Sequence, residues 1–118
     1  MLIGYKLSPQ SRQKLLERFP PKYPRVICDH ITYQFGAPRD APLPSEPEIV
    51  EVVGYINSDD GVEGLLVNID GTVDRPDGNK YHITLSLNKD RRPVETNDFV
   101  DTADSIDPIA IDVKVYSE

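Results

Sequence analysis

The run Lys80-Tyr81-His82-Ile83-Thr84-Leu85-Ser86-Leu87 contains a His-Ile-Thr triplet that recurs once, at His30-Ile31-Thr32, and these are the only two histidines in the 118-residue chain. Five threonines are present (Thr32, Thr72, Thr84, Thr96, Thr102). The chance that both histidines find one of them two residues on is therefore on the order of 0.002, which makes the doubled motif a specific signal. The two triplets set the fold expectation, because each sits inside a run that reads as a β-strand.

In a strand the side chains alternate, so residues i and i+2 share a face about 6.6 Å apart. His82, Thr84 and Ser86 then share one face, while Tyr81, Ile83, Leu85 and Leu87 pack on the other. In Val26-Ile27-Cys28-Asp29-His30-Ile31-Thr32-Tyr33-Gln34-Phe35 the same rule groups Cys28, His30, Thr32 and Gln34 against Ile27, Ile31, Tyr33 and Phe35. Each strand offers an imidazole beside a hydroxyl, over an apolar back. Side by side, two such strands present two imidazoles and two hydroxyls to one cleft. Imidazole exchanges a proton near neutral pH, and a hydroxyl donates to a phosphoryl oxygen. The set suits in-line attack on a phosphodiester.

Two His-x-Thr motifs, each on a strand and about half a domain apart, resemble those of the two-histidine (2H) phosphoesterase superfamily, which includes the RNA-ligase-associated cyclic phosphodiesterases. The resemblance is closest over Val26–Phe35 and Lys80–Leu87, and an N-terminal strand-then-helix and a final strand fit the same layout. It implies catalytic roles for His30 and His82, phosphate binding by Thr32 and Thr84, and no metal or other cofactor. It also implies hydrolysis of 2′,3′-cyclic phosphates, 2′,5′ linkages, 1″,2″-cyclic phosphates or cyclic signalling nucleotides.

Length points to one domain spanning 1–118, large enough for one core. The net charge of −7 argues against tight binding to long duplex nucleic acid, which rests on Lys and Arg at phosphates. The charge is uneven. Residues 1–25 carry six basic side chains (Lys6, Arg12, Lys14, Arg18, Lys22, Arg25) and one acidic, Glu17, a net of +5 against −12 for the rest. A small nucleotide or an RNA terminus fits this better than duplex DNA. A solvated basic helix is the plainer account of the N-terminal charges. Cys28 is the only cysteine, which excludes an intramolecular disulfide. The N-terminus has no apolar run suited to a signal peptide or membrane span, so the expectation is a cytoplasmic monomer with no membrane partner.

In chain order, Leu2–Leu7 reads as a strand, and Ser8 and Pro9 as the N-cap and first position of a helix running to about Arg18. The prolines from Pro20 to Pro24 lead into the first His strand. Pro38, Pro42, Pro44 and Pro47 mark a loop. Glu48–Ile56 and Glu63–Ile69 form a hairpin across a turn at Asn57–Gly61. Asp70-Gly71 and Asp77-Gly78 are further turns before the second His strand. Residues 94–105 suit a short helix or irregular turn, and Pro108–Tyr116 alternates as one closing strand. Six strands with few helices predict an α+β, mainly antiparallel fold, with both His-x-Thr strands facing a common cleft.

Other chemistries fit less well. Two histidines and one cysteine lack zinc-site spacing, and the turn carboxylates lack the EF-hand pattern. Cys28 and His30, two apart on one strand, stand too far from each other for a nucleophile–base pair, and the His-x-His-x-His run of the histidine-triad hydrolases is missing. Ser86 and Gln34, on the histidine faces, and Lys80 and Arg91, flanking the second motif with Lys89 and Arg92, are candidate substrate contacts. Tyr33 and Tyr81 point away from the histidines and are expected in the core. The alternative to a phosphoesterase is a non-catalytic module that binds a nucleotide or RNA end in the same cleft.

Overall fold

The computed structural model describes residues 1–118. Its strands are β1 (Ile3–Leu7), β2 (Arg25–Val26), β3 (His30–Gln34), β4 (Val50–Asn57), β5 (Val62–Ile69), β6 (His82–Leu87), β7 (Asp104–Ala110) and β8 (Val113–Ser117). Helix α1 (Pro9–Arg18) follows β1, and a 3-10 helix (Pro93–Thr102) precedes β7. The strands form one antiparallel sheet in the order β7-β4-β5-β6-β3-β1-β8, with β2 paired to β6. This is the α+β class that the alternating patterns predict, with the His strands β3 and β6 as neighbours in the middle of the sheet.

Two expected strands each prove to be two. The Val26–Phe35 run breaks at Cys28, whose φ of +43° is left-handed backbone. Val26 pairs with Ser86 on one side of the break, and Ile31 with Ile83 on the other. The kink reverses the alternation, so Cys28 lies in the core with Ile31 while Ile27 lines the cleft. The closing strand expected over Pro108–Tyr116 is divided at Ile111-Asp112. Ile111 is buried and its N–H donates to the Val50 carbonyl. The Asp112 N–H donates to Ser11 Oγ at 2.7 Å, and its carbonyl accepts from the Ser8 N–H. These tertiary bonds turn the chain where the apolar alternation shows no interruption.

The division bends the whole sheet. β7 and β8 are its opposite edges, yet only Ile111 and Asp112 join them. Seven strands laid flat at about 4.8 Å spacing would hold the edges roughly 29 Å apart, whereas a three-residue step reaches about 10 Å. The sheet must therefore curl enough to bring the end of β7 near the start of β8. Register shifts at Ile3/Gly4, Val52/Gly54 and Glu63/Gly64 supply local bends of the kind β-bulges produce. Inside the curl is a core of 15 buried residues, among them Tyr5, Cys28, Ile31, Val52, Leu65, Val67, Ile83 and Leu85. Tyr5 meets Tyr33 and Tyr81 edge to face at 6.0 and 6.4 Å, as expected for aromatics turned away from the histidines.

Helix α1 has the narrow contact its thin apolar content predicts. Ser8 Oγ caps it by accepting from the Ser11 N–H at 3.1 Å, and Leu15 is its fully buried anchor. Its basic residues bind the fold together. Arg12 Nε donates to the Cys28 carbonyl at 3.0 Å and Lys14 to that of Ala110. No helix is long and apolar enough to cross a membrane.

Candidate active site

The single pair Ile31–Ile83 joins β3 to β6. By the antiparallel register it sets, His30 falls opposite Thr84 and Thr32 opposite His82, which makes the histidines a diagonal pair at about 7–8 Å between backbones in a regular ladder. All four residues line one cleft of about 450 Å³. The isoleucines between them point into the core, so the period-two pattern delivers both motifs to the same face.

Each imidazole is oriented through Nδ1. His82 is 8% exposed, and its Nδ1–H donates to the Lys80 carbonyl at 2.8 Å. A carbonyl only accepts, so in the neutral ring Nε2 is the basic nitrogen. Burial holds the His82 pKa below the usual histidine range, with the nearby Arg75 and His30 charges acting in the same direction against the Lys80 bond and Asp77. His30 is more open, its side chain 26% exposed, and its Nδ1 is 3.2 Å from Asp29 Oδ2. Burial acts to raise the Asp29 carboxyl, but bonds and charge from Lys6 (Nζ at 3.1 Å) and from His30 outweigh it and hold it below the usual carboxylate value. Asp29 is then an acceptor, and His30 too is left with Nε2 free. Tyr116 meets the His30 ring edge on at 6.1 Å.

The two threonines differ. Thr32 is half-buried on the cleft wall. Thr84 is buried, and its hydroxyl lies 2.9 Å from Thr96 Oγ1 and 3.3 Å from the Pro93 carbonyl. It fastens the 3-10 helix to β6, so a ligand oxygen competes with protein acceptors for its one proton. Gly64 makes room for this contact beside Thr84. A Cβ there would come within 2.9 Å of Thr96 Cγ2 and 3.0 Å of the Ile83 carbonyl.

The expected substrate contacts lie elsewhere. Ser86 is fully buried and donates to Glu63 Oε1 at 2.6 Å, in a network that includes Tyr55 and the Lys22 N–H. Gln34, Lys80 and Arg91 are not among the cleft residues. Gln34, at the end of β3, is exposed, and the Lys80 ammonium pairs with Asp74 at 3.2 Å. Arg91 bonds Asp60 and Glu95 and so ties the start of the 3-10 helix to the β4–β5 turn. The Gly36–Pro47 loop contributes nothing to the cleft lining and is a surface crossing.

In their place the cleft holds Arg75, Asp77, Asn79 and Asn97, with Leu2, Ile27, Phe35, Pro93 and Val94 as its apolar part. Arg75 is buried and grips Asp77 with Nε and Nη2, both at 2.9 Å. The Arg75 hydrogen bond holds the Asp77 carboxyl below its usual range. In the sequence this is an Asp-Gly turn, and nothing local marks the arginine as buried. Cys28 is buried, its thiol pushed up to about 11 by desolvation, and packs as a small apolar residue. Nowhere do three or more His, Cys, Asp or Glu side chains gather as metal ligands. Comparisons with protein-family models, with curated proteins and with solved structures give no significant match.

Proposed function

We propose that the protein is a metal-independent phosphoesterase that hydrolyses a cyclic or 2′-linked nucleotide phosphodiester, on a small nucleotide or an RNA end, by two-histidine acid/base catalysis in the cytoplasm. The observation that carries this reading is the convergence of His30, Thr32, His82 and Thr84 on one cleft, each imidazole with Nδ1 occupied. Arg75, its charge shared with Asp77 on the same wall, is the cleft's cationic side chain and the one suited to a phosphoryl group.

The roles follow from the surroundings. His82, desolvated and beside Arg75, favours the neutral ring and acts as base. A positive charge on His30 has the Asp29 carboxylate as counter-ion, so His30 acts as acid. Water gives a proton to His82 Nε2 as its oxygen bonds to phosphorus. The P–O bond to the ribose oxygen breaks, and that oxygen takes the proton from His30 Nε2. The non-bridging oxygens, where charge builds up, are met by the Thr32 hydroxyl and Arg75. One fixed acid serves one ribose oxygen, so a 2′,3′-cyclic phosphate opens to a single product, which the resemblance to the two-histidine phosphoesterases makes the 2′-phosphate.

The test offers a 2′,3′-cyclic mononucleotide, a 2′,5′-linked dinucleotide and a cyclic dinucleotide from about pH 5 to 9, each with and without EDTA. Turnover of at least one, unchanged by chelator and abolished in the His30→Ala, His82→Ala double variant, supports the reading. Binding without turnover favours the non-catalytic module, and rescue of a chelator-inhibited reaction by a divalent ion points to a metal enzyme.

A further inference from the structure

Of the side chains that line the cleft, only Arg75 and Asp77 carry a permanent charge, and they are bound to each other. Arg75, its side chain 5% exposed, gives both Nε and Nη2 to the Asp77 carboxylate at 2.9 Å. Its Nη1 makes no protein hydrogen bond and is not sealed from solvent. Asp77 is the more open partner, its side chain 41% exposed, and it is fixed on its turn by accepting from the Asn79 N–H at 3.0 Å. The cations beside the histidines are matched in the same way. Lys6 pairs with Asp29 next to His30, and Lys80, whose carbonyl holds His82, pairs with Asp74. The cleft thus offers a donor to a phosphoryl oxygen but no surplus cation. With one imidazole protonated, its lining carries a single net positive charge.

We propose that Asp77 sets the charge this cleft accepts: a phosphodiester monoanion is admitted at Arg75, and a phosphomonoester dianion is repelled. The inference rests on the phosphodiester reading above and adds its selectivity. A diester carries one negative charge, whereas a monoester loses a second proton near pH 6. Hydrolysis converts the one into the other, and above that pH the second proton goes to solvent. The carboxylate that tolerates the substrate then drives out the product, and nucleoside monophosphates compete poorly although they share base and sugar. One extra charge about 6 Å from a carboxylate, at an effective dielectric near 20, changes binding by up to roughly 100-fold.

The probes are cytidine 2′,3′-cyclic phosphate and cytidine 2′-phosphate, titrated calorimetrically into the His30→Ala, His82→Ala double variant, or its Gln counterpart should the alanines unfold it. Without the histidines, the charged groups left around the phosphate are Arg75, Asp77, Asp29, Lys6, Asp74 and Lys80. These keep their charge from about pH 5 to 8, Asp77 and Asp29 being held below the usual carboxylate range, so only the monoester titrates. The preference for the diester should be small at pH 5 and open to about 10- to 100-fold at pH 8. Asp77→Asn, which keeps an acceptor for the Asn79 N–H, should tighten the monoester more than the diester and close most of that gap. A preference that does not grow with pH, a measurement that needs no change at Asp77, overturns the assignment. So does one that grows and survives Asp77→Asn. Either result leaves the proposed activity standing. Failure of both nucleotides to bind also overturns the assignment, and if none of the three diesters offered above is turned over, the proposed activity falls with it.

Discussion

Ile31 lies directly opposite Ile83, and this one backbone pair sets the spacing of the two motifs around it. Because the strands run antiparallel, the two His-Ile-Thr triplets are related by a local twofold through the isoleucines, and each imidazole faces the other strand's threonine. On the proposed mechanism, a phosphate between them meets one imidazole from either side. Replacing His30 or His82 by Ala should each lower kcat about 10²- to 10⁴-fold, with the double variant close to the worse single one, since acid and base act as a unit. Steady-state kinetics of the three variants checks this, and additive losses would contradict it.

Asp29 should matter through His30 alone. Asn in its place removes the carboxylate that lies 3.2 Å from Nδ1. The rate should fall about tenfold or more, short of the roughly 10⁴ cost for a buried triad carboxylate. An unchanged rate would remove Asp29 from the mechanism.

The buried His82 gives stability a sign on the acid side. Its folded-state pKa lies below the unfolded value of about 6.5, so below that pH the unfolded chain binds the extra proton first. Stability is fully present above about 6.5 and falls as pH drops toward the folded value. The depressed Asp29 and Asp77 carboxyls act in the same sense further down, below about pH 4. Urea midpoints compared at pH 7.5 and 5.5 should show the loss, and His82→Gln should flatten it.

The threonines should separate by measurement. Thr84→Val strands Thr96 Oγ1 and the Pro93 carbonyl, which should cost about 1–3 kcal/mol of stability. Thr32→Val should leave the melting temperature nearly unchanged and lower kcat/KM. Equal effects on both readouts would refute the distinction.

Gly64→Ala offers a test that removes no polar group from the cleft. The added methyl meets Thr96 and the Ile83 carbonyl, and relief requires the 3-10 helix to retreat. Overpacking of this kind typically costs about 1–3 kcal/mol. Activity should fall together with stability because Thr84 and Asn97 share that wall.

The residues whose identity alone fixes local geometry were legible. Period two delivered both motifs to one face and the tyrosines to the other, and Ser8-Pro9 gave the helix start. What could not be read depends on distant partners. No local signal makes a cysteine take a left-handed φ, yet Cys28 does so while the Arg12 guanidinium holds its carbonyl. Pro108–Tyr116 alternates without interruption, and it is Val50, Ser8 and Ser11 that turn the chain at Ile111-Asp112. Of the cleft residues missed, Arg75 and Asn97 come from a turn and a 3-10 helix, where the alternation rule says nothing about which way a side chain points; Phe35, which that rule puts on the apolar side with Ile31 and Tyr33, lies just past the end of β3 and is instead exposed on the cleft.

The joining of the sheet's two edges has a consequence for how the protein is made. β1 is made well before its neighbour β8, which begins only at Val113, and Tyr5 waits for Val115. Until then β1 on one side, and β4 on the side that β7 will cover, show bare backbone to other chains, the condition under which partly folded sheets associate. Pairings this far apart in sequence put folding on the slow, millisecond-to-second side of the range. β7 and β8 therefore complete the sheet only after its other strands have been made, and β7, with Asp104, Asp107 and Pro108 along an exposed edge, is poorly suited to accept a foreign strand once they have done so.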